Sequence, residues 1–193
     1  MPYSRRLILA SGSPRRRELL TEWGYAFHVI VPSDDAEGGI LPGETPRETV
    51  QRLAQQKAAD VAGRVQSGLI LACDTLAECQ GQPLGKPRDR DHARQMLRLL
   101  SGQRHDVLSG ICLWEMPRGK SQVQVDRTIL EMDPLSDATL EDYLDSGQWQ
   151  GKAGAFGFQD GLDWVHILEG SPSNVVGLPM ELLGRMLNEW VPA

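Results

Sequence analysis

The chain predicts an α/β fold with a mixed sheet, on three observations. Short apolar runs alternate along it with amphipathic stretches of helix length. Two of those runs, Leu7-Ile8-Leu9-Ala10 and Leu69-Ile70-Leu71-Ala72-Cys73, have no polar interruption, as strands buried on both faces of a sheet do. Two strand candidates near residues 105–114 and 121–132 flank the turn Pro117-Arg118-Gly119 and add antiparallel character. With 193 residues there is enough chain for one packed domain, 1–193, and hardly for two.

The elements follow in order. A strand near 5–10 leads through Ser11-Gly12-Ser13 into a helix near 14–23. Pro14 suits its first position, Ser13 its cap and Gly24 its stop, with Leu19, Leu20 and Trp23 on one face. Tyr25 to Val31 alternates as a second strand, and Pro32 to Gly43 is a loop rich in Asp, Gly and Pro. Pro46 opens a helix reaching about Gln66. The apolar run 69–73 is the next strand, the segment Gly81 to Pro87 a turn, and Asp89 to Leu100 an amphipathic helix stopped by Ser101-Gly102. After the hairpin, Ser136 caps a short helix to about Asp145, residues 151–161 are glycine-rich, Leu162 to Leu168 alternates, and a last helix runs from Pro179 to about Trp190.

Composition narrows the function. A net charge of -6 argues against a nucleic-acid binder or a protein that sits on an anionic membrane. Against that background Arg5, Arg6, Arg15, Arg16 and Arg17 all precede the first acid, Glu18, a local basic patch suited to a small phosphorylated ligand. Three cysteines without CxxC spacing predict free thiols rather than a disulfide or zinc framework. The sequence has neither a secretory signal pattern nor an apolar run of membrane-spanning length, so a cytoplasmic location is expected. Walker A, GxGxxG and zinc spacings are missing, and His105-Asp106 reads as the start of a strand.

Several residues could carry chemistry. A helix N-terminus presents free amides and the positive end of a dipole, and Arg15 and Arg16 placed there oppose that dipole unless an anion is bound. Asp74-Thr75 follows a buried strand at the carboxyl edge where open α/β sheets bind ligands, although an Asp there can equally cap a turn. Val50, Leu53, Lys57 and Val61 share a helical stripe, so Lys57 either extends past the core to solvent or points into a polar cleft. Lys86 sits on a Gly-Lys-Pro turn and Glu37 in an acidic loop; each alone reads as a solvated charge. The glycine-rich stretch Gly151 to Gln159 permits close backbone approach to a ligand, and Gln159 can both donate to and accept from a nucleobase edge.

Taken together the motifs resemble the Maf family of nucleoside triphosphate pyrophosphatases over nearly the whole chain. The residues that carry the resemblance are Leu7 to Arg16, Leu53-Ala54-x-x-Lys57-Ala58, Asp74-Thr75, Gly85-Lys86-Pro87, Leu100-Ser101-Gly102-x-x-His105, Lys152 to Phe156 with Gln159, and Val176 to Pro179. The resemblance implies an elongated sheet flanked by helices, with two lobes around a deep cleft, like the inosine triphosphate pyrophosphatases. It implies hydrolysis of a nucleoside triphosphate between its α and β phosphorus atoms, with Mg²⁺ or Mn²⁺. Ser11, Ser13, Arg15 and Arg16 would then cradle phosphates with Lys57 and Lys86. Glu37 and Asp74 would hold the metal, and Asp74 would activate water. Asp74-Thr75 and the Lys152 to Gln159 segment look like the dTTP/UTP branch; 7-methyl-GTP or another modified purine is the alternative substrate, and a nucleotide-binding regulator of cell division the alternative role. Asp160 stands where the family commonly has glycine, Asp163-Trp164 enrich the following strand, and Asp35 competes with Glu37 as the ligand. A homodimer stays open.

Overall fold

The computed structural model describes residues 6–190, in which seven strands form one open mixed sheet. Strand β1 (Leu7–Ala10) is followed by helix α1 (Pro14–Glu22), β2 (Phe27–Val29), α2 (Pro46–Ala62), β3 (Gly68–Cys79), β4 (Gln82–Leu84) and α3 (Arg90–Leu100). The chain continues through β5 (Arg104–Met116), β6 (Lys120–Met132), α4 (Asp137–Asp145), β7 (Val165–Glu169), α5 (Pro172–Val176) and α6 (Met180–Glu189). The sheet order is β2-β1-β3-β5-β6-β7, with β4 on the far half of β3. Strands β2, β1 and β3 are parallel, and the remaining pairings are antiparallel.

Alternation along the strands explains the layers. Ile8, Ala10, Ile70, Ala72 and Cys112 face α2, where Ala54, Ala58 and Val61 meet them. Leu7, Leu9, Leu69, Leu71, Ile111 and Leu113 face the opposite way and pack under α6, on Leu183 and Met186. A third cluster fills the distal half, where Ala77, Val107, Leu130 and Met132 meet Leu97 and Leu100 of α3, Tyr143 and Leu144 of α4, and Phe156.

Some boundaries differ from those read off the sequence. The strand expected to end at Cys73 runs on to Cys79, because its partner β5 continues in register from Gly68↔Met116 to Glu78↔Asp106. Helix α2 stops at Ala62 and β2 shrinks to three residues. Ser13 flanks α1 with extended dihedrals, but its side chain caps nothing. Trp23 is half exposed rather than packed with Leu20. The short helix α5 has no counterpart in the sequence reading. His105 does lie at the start of β5, buried against the Phe156 ring.

Candidate active site

The site arises from a gap along one edge of β3. That edge pairs with β1 from Leu69 to Ala72 and with β4 from Ala77 to Cys79, leaving Cys73 to Leu76 with no strand beside them among the described residues. This is the crevice at the carboxyl end of a parallel strand, where ligands sit in open α/β sheets. A cleft of about 380 Å³ opens there, and all ten candidate residues line it: Ser11, Ser13, Arg15, Arg16, Glu37, Lys57, Asp74, Thr75, Lys86 and Gln159. Val31 and Pro32 add apolar surface, as do Val107, Phe156, Val175 and Val176.

Asp74 and Thr75 alternate, so each is supported from a different face. Asp74 follows Ile70 and Ala72 on the α2 face and pairs in register with Gly110. Gly110 lets the helix come close: a Cβ there would lie 2.3 Å from the Val50 carbonyl oxygen. Lys57, two turns further along α2, is thereby set over Asp74, its Nζ donating to Oδ1 at 2.6 Å and standing 3.1 Å from Glu37 Oε1. Lys57 is thus the cleft-facing lysine, only 3 % exposed. One ammonium faces two carboxylates, and Asp74 Oδ2 accepts no hydrogen bond among the described residues. Burial works to raise the Glu37 pKa, but the Lys57 ammonium outweighs it, with help from Lys86 and Arg16, and holds the carboxyl below its ordinary value.

On the other face Arg16 ties three segments together. Its Nη1 donates to the Cys73 carbonyl (2.7 Å) and the Ser11 hydroxyl (3.2 Å), its Nε to the Gly177 carbonyl (2.8 Å) and its Nη2 to Thr75 Oγ1 (3.2 Å). The guanidinium therefore satisfies a backbone carbonyl of the unpaired β3 edge, and most of its fork is occupied by the protein. Arg15 is freer, with one hydrogen bond among the described residues, from Nη2 to the Gly151 carbonyl at 3.1 Å. The Ser11 hydroxyl accepts from the Ser13 amide, so neither a cap nor an acidic residue occupies the first turn of α1. That leaves the turn open to an anion.

The far wall is the glycine-rich segment. Lys152 lines the cleft, and Asp160 stands behind it, forming an ion pair with Lys152 and accepting from the Tyr143 hydroxyl at 3.1 Å. The pair passes over Gly157, where a Cβ would lie 2.5 Å from Lys152 Nζ. Gln159 is exposed at the cleft, directly before Asp160. Asp163 is exposed, and Trp164 packs edge-on against Tyr143 at 5.4 Å; neither lines the cleft. Asp35 does not line it either, whereas Asp34 and Glu37 do. The sequence reading missed Ser109, bonded to Thr75 at 2.8 Å, and Tyr143; both reach the site through pairings distant in sequence, and no local pattern marks them.

The acidic donors are few for a metal. Among the described residues no group of three or more His, Cys, Asp or Glu is placed to hold one. Two carboxylates with oxygen atoms facing a cleft fit a hard divalent cation that takes its other ligands from water and substrate phosphates, the usual habit of Mg²⁺. A closed protein cage does not fit. No helix among the described residues is long and apolar enough to cross a membrane.

Known proteins resemble this chain over almost its whole length. The family model described as Maf-like protein matches residues 6–190. A dTTP/UTP pyrophosphatase of Rhodopirellula baltica is 55 % identical over 190 residues, covering 98 % of this chain and 84 % of the relative. Similar enzymes of the same name from Anaeromyxobacter dehalogenans (46 % over 188 residues, 94 % and 92 % covered) and Ruminiclostridium cellulolyticum (40 % over 186 residues, 96 % of each) align almost end to end. The open edge of β3, with Asp74 at its centre, lies inside the matched region, and the chain belongs to the Maf-like protein family.

Proposed function

We propose that the chain hydrolyses dTTP and UTP at the bond between the α and β phosphorus atoms, releasing the monophosphate and pyrophosphate. The observation that carries this is the meeting of cations and two carboxylates at the unpaired edge of β3. The names of the aligned relatives support the substrate.

In this reading the triphosphate tail lies between the first turn of α1 and Lys86, with Arg15 and Ser13 as further donors. Arg16, largely bound to the protein, holds Ser11, Thr75 and the Cys73 carbonyl in place around it. Lys57 holds Asp74 and Glu37 side by side, one shared ammonium bridging the two carboxylates. Asp74 Oδ2 takes the proton of the attacking water as the water oxygen closes on the α phosphorus. The pyrophosphate leaves against Lys86 and Arg15, which spread the charge that builds on it. A Mg²⁺ or Mn²⁺ ion held by Glu37 and Asp74 supplies Lewis-acid neutralisation of phosphoryl charge when bound. The base lies toward Val107, Phe156 and Val175, with Thr75 and Gln159 as its polar contacts.

A nucleotide panel run in ¹⁸O-labelled water tests this. The expected result is preferred turnover of dTTP and UTP, with one pyrophosphate per turnover and the label in the monophosphate. Orthophosphate as the product, or label in pyrophosphate, would overturn the cleavage site; a preference for methylated GTP would overturn the base assignment.

A further inference from the structure

Arg52 does not line the cleft, yet its contacts fasten the loop that begins at Glu37. From α2 its Nε and Nη2 fork the Glu44 carboxylate at 2.5 and 2.7 Å, and Nη2 also donates to the Gly39 carbonyl at 2.7 Å. Nη1 reaches the side-chain oxygen of Gln56, the neighbour of Lys57, at 3.1 Å. Glu44 accepts in addition from the Thr49 hydroxyl (3.1 Å) and the Leu41 amide (3.3 Å). Within this loop Gly39 (φ +66°) and Gly43 (φ +84°) occupy the left-handed region, and Ile40 and Leu41 are exposed. Among the described residues, Arg52 is the only side chain from outside the loop that donates to the backbone of residues 38–43.

A glycine-bearing loop with exposed apolar residues has little of its own to order it, and ordering each residue costs about 1–2 kcal/mol of backbone entropy. The half-exposed Glu37 side chain meets Lys57 through one contact at 3.1 Å. A planar guanidinium can bind a carboxylate through two parallel bonds and still reach a carbonyl; an ammonium, a point donor, cannot.

We infer that Arg52 is a positioning residue: by fastening the loop at Gly39 and Glu44 to the helix that carries Lys57, it holds Glu37 beside Asp74. This rests on the role given to Glu37 above, so the test has one arm independent of that role. A glutamate-specific protease, applied to the full chain without nucleotide or metal, should cut after Glu37 and Glu44 about tenfold faster in Arg52→Gln. Arg52→Lys should be intermediate, and cleavage after Glu22 should not change. Equal cleavage in all three proteins would overturn the tether. In the second arm, turnover by Glu37→Gln and by Arg52→Gln/Glu37→Gln should be the same, because a device acting through Glu37 has nothing left to position. Multiplying rate losses would overturn action through Glu37 and leave a general structural role. Full turnover by Glu37→Gln would strike at the role of Glu37 itself, and the protease arm would then decide the tether.

Discussion

Two pairs, Lys57 with Asp74 and Lys152 with Asp160, each bring a lysine to the cleft and are made of the same two residue types at similar burial. Their side chains are 4 and 13 % exposed in the first pair and 10 % each in the second. Their surroundings differ. Lys57 is shared between Asp74 and Glu37, so that trio has two carboxylates to one ammonium and, among the described residues, a carboxylate oxygen that accepts no hydrogen bond. Asp160 instead receives both Lys152 and the Tyr143 hydroxyl and stands behind the cleft wall, with nothing in excess. Burial lowers the Lys152 pKa and raises that of Tyr143, and the Asp160 carboxylate raises both. A buried ion pair holds its shape when its charges balance, and it is ready for chemistry when they do not.

Mutations should therefore separate the two pairs. Asp74→Asn is expected to lower kcat by at least about two orders of magnitude, the contribution of a placed base, with a small change in thermal midpoint because Glu37 still pairs Lys57. A rate within threefold of the parent would remove Asp74 from the chemistry. Asp160→Asn should show the reverse. It should lose about 3 kcal/mol of unfolding free energy in urea titrations, the low end for stripping one partner from a buried pair, since Lys152 can shed its proton. Its kcat should fall less than tenfold. A catalytic loss as large as that of Asp74→Asn would erase the contrast.

The smallest effect belongs to an exposed cluster that sharpens the comparison. Glu141 on α4 binds Arg94 and Arg90 of α3, and hydrogen bonding from Arg94 outweighs desolvation to hold its carboxyl at about 2. A carboxyl lowered in the folded state stabilises it above the unfolded value of 4.5 and loses that contribution as pH falls toward about 2. Glu141→Gln should lower the thermal midpoint slightly at pH 7, and the difference from the parent should close between pH 4.5 and 2. A gap of constant size over that range would mean the contacts act through packing instead.

The site was more legible in the sequence than the strand boundaries were. Lys57 was visible because a charge on an apolar helical stripe needs an explanation, and Arg15 and Arg16 because cations at a helix N-terminus oppose its dipole. The extent of β3 was hidden, because pairing with β5 decides it and the polar Asp74-Thr75 looks like an end. Ser13 carried a capping signal, yet its side chain accepts from no amide of the first turn. Trp23 was misplaced because the aromatic side chain stands just past the last turn of α1. Arg52 and Tyr143 act through Glu44 and Asp160, the latter remote in sequence, and helix periodicity gives no hint of such links.

Gly110 shows how far the chemistry depends on a position with no functional group. Opposite Asp74 in the sheet, it lets the Val50 backbone lie where any side chain would collide. A single added methyl would lift that helix off the strand and carry the shared ammonium away from Asp74. An alanine scan would then mark this residue as indispensable although it never meets the nucleotide, and the enzyme's tolerance to change at its centre would be set by the thickness of one carbon atom.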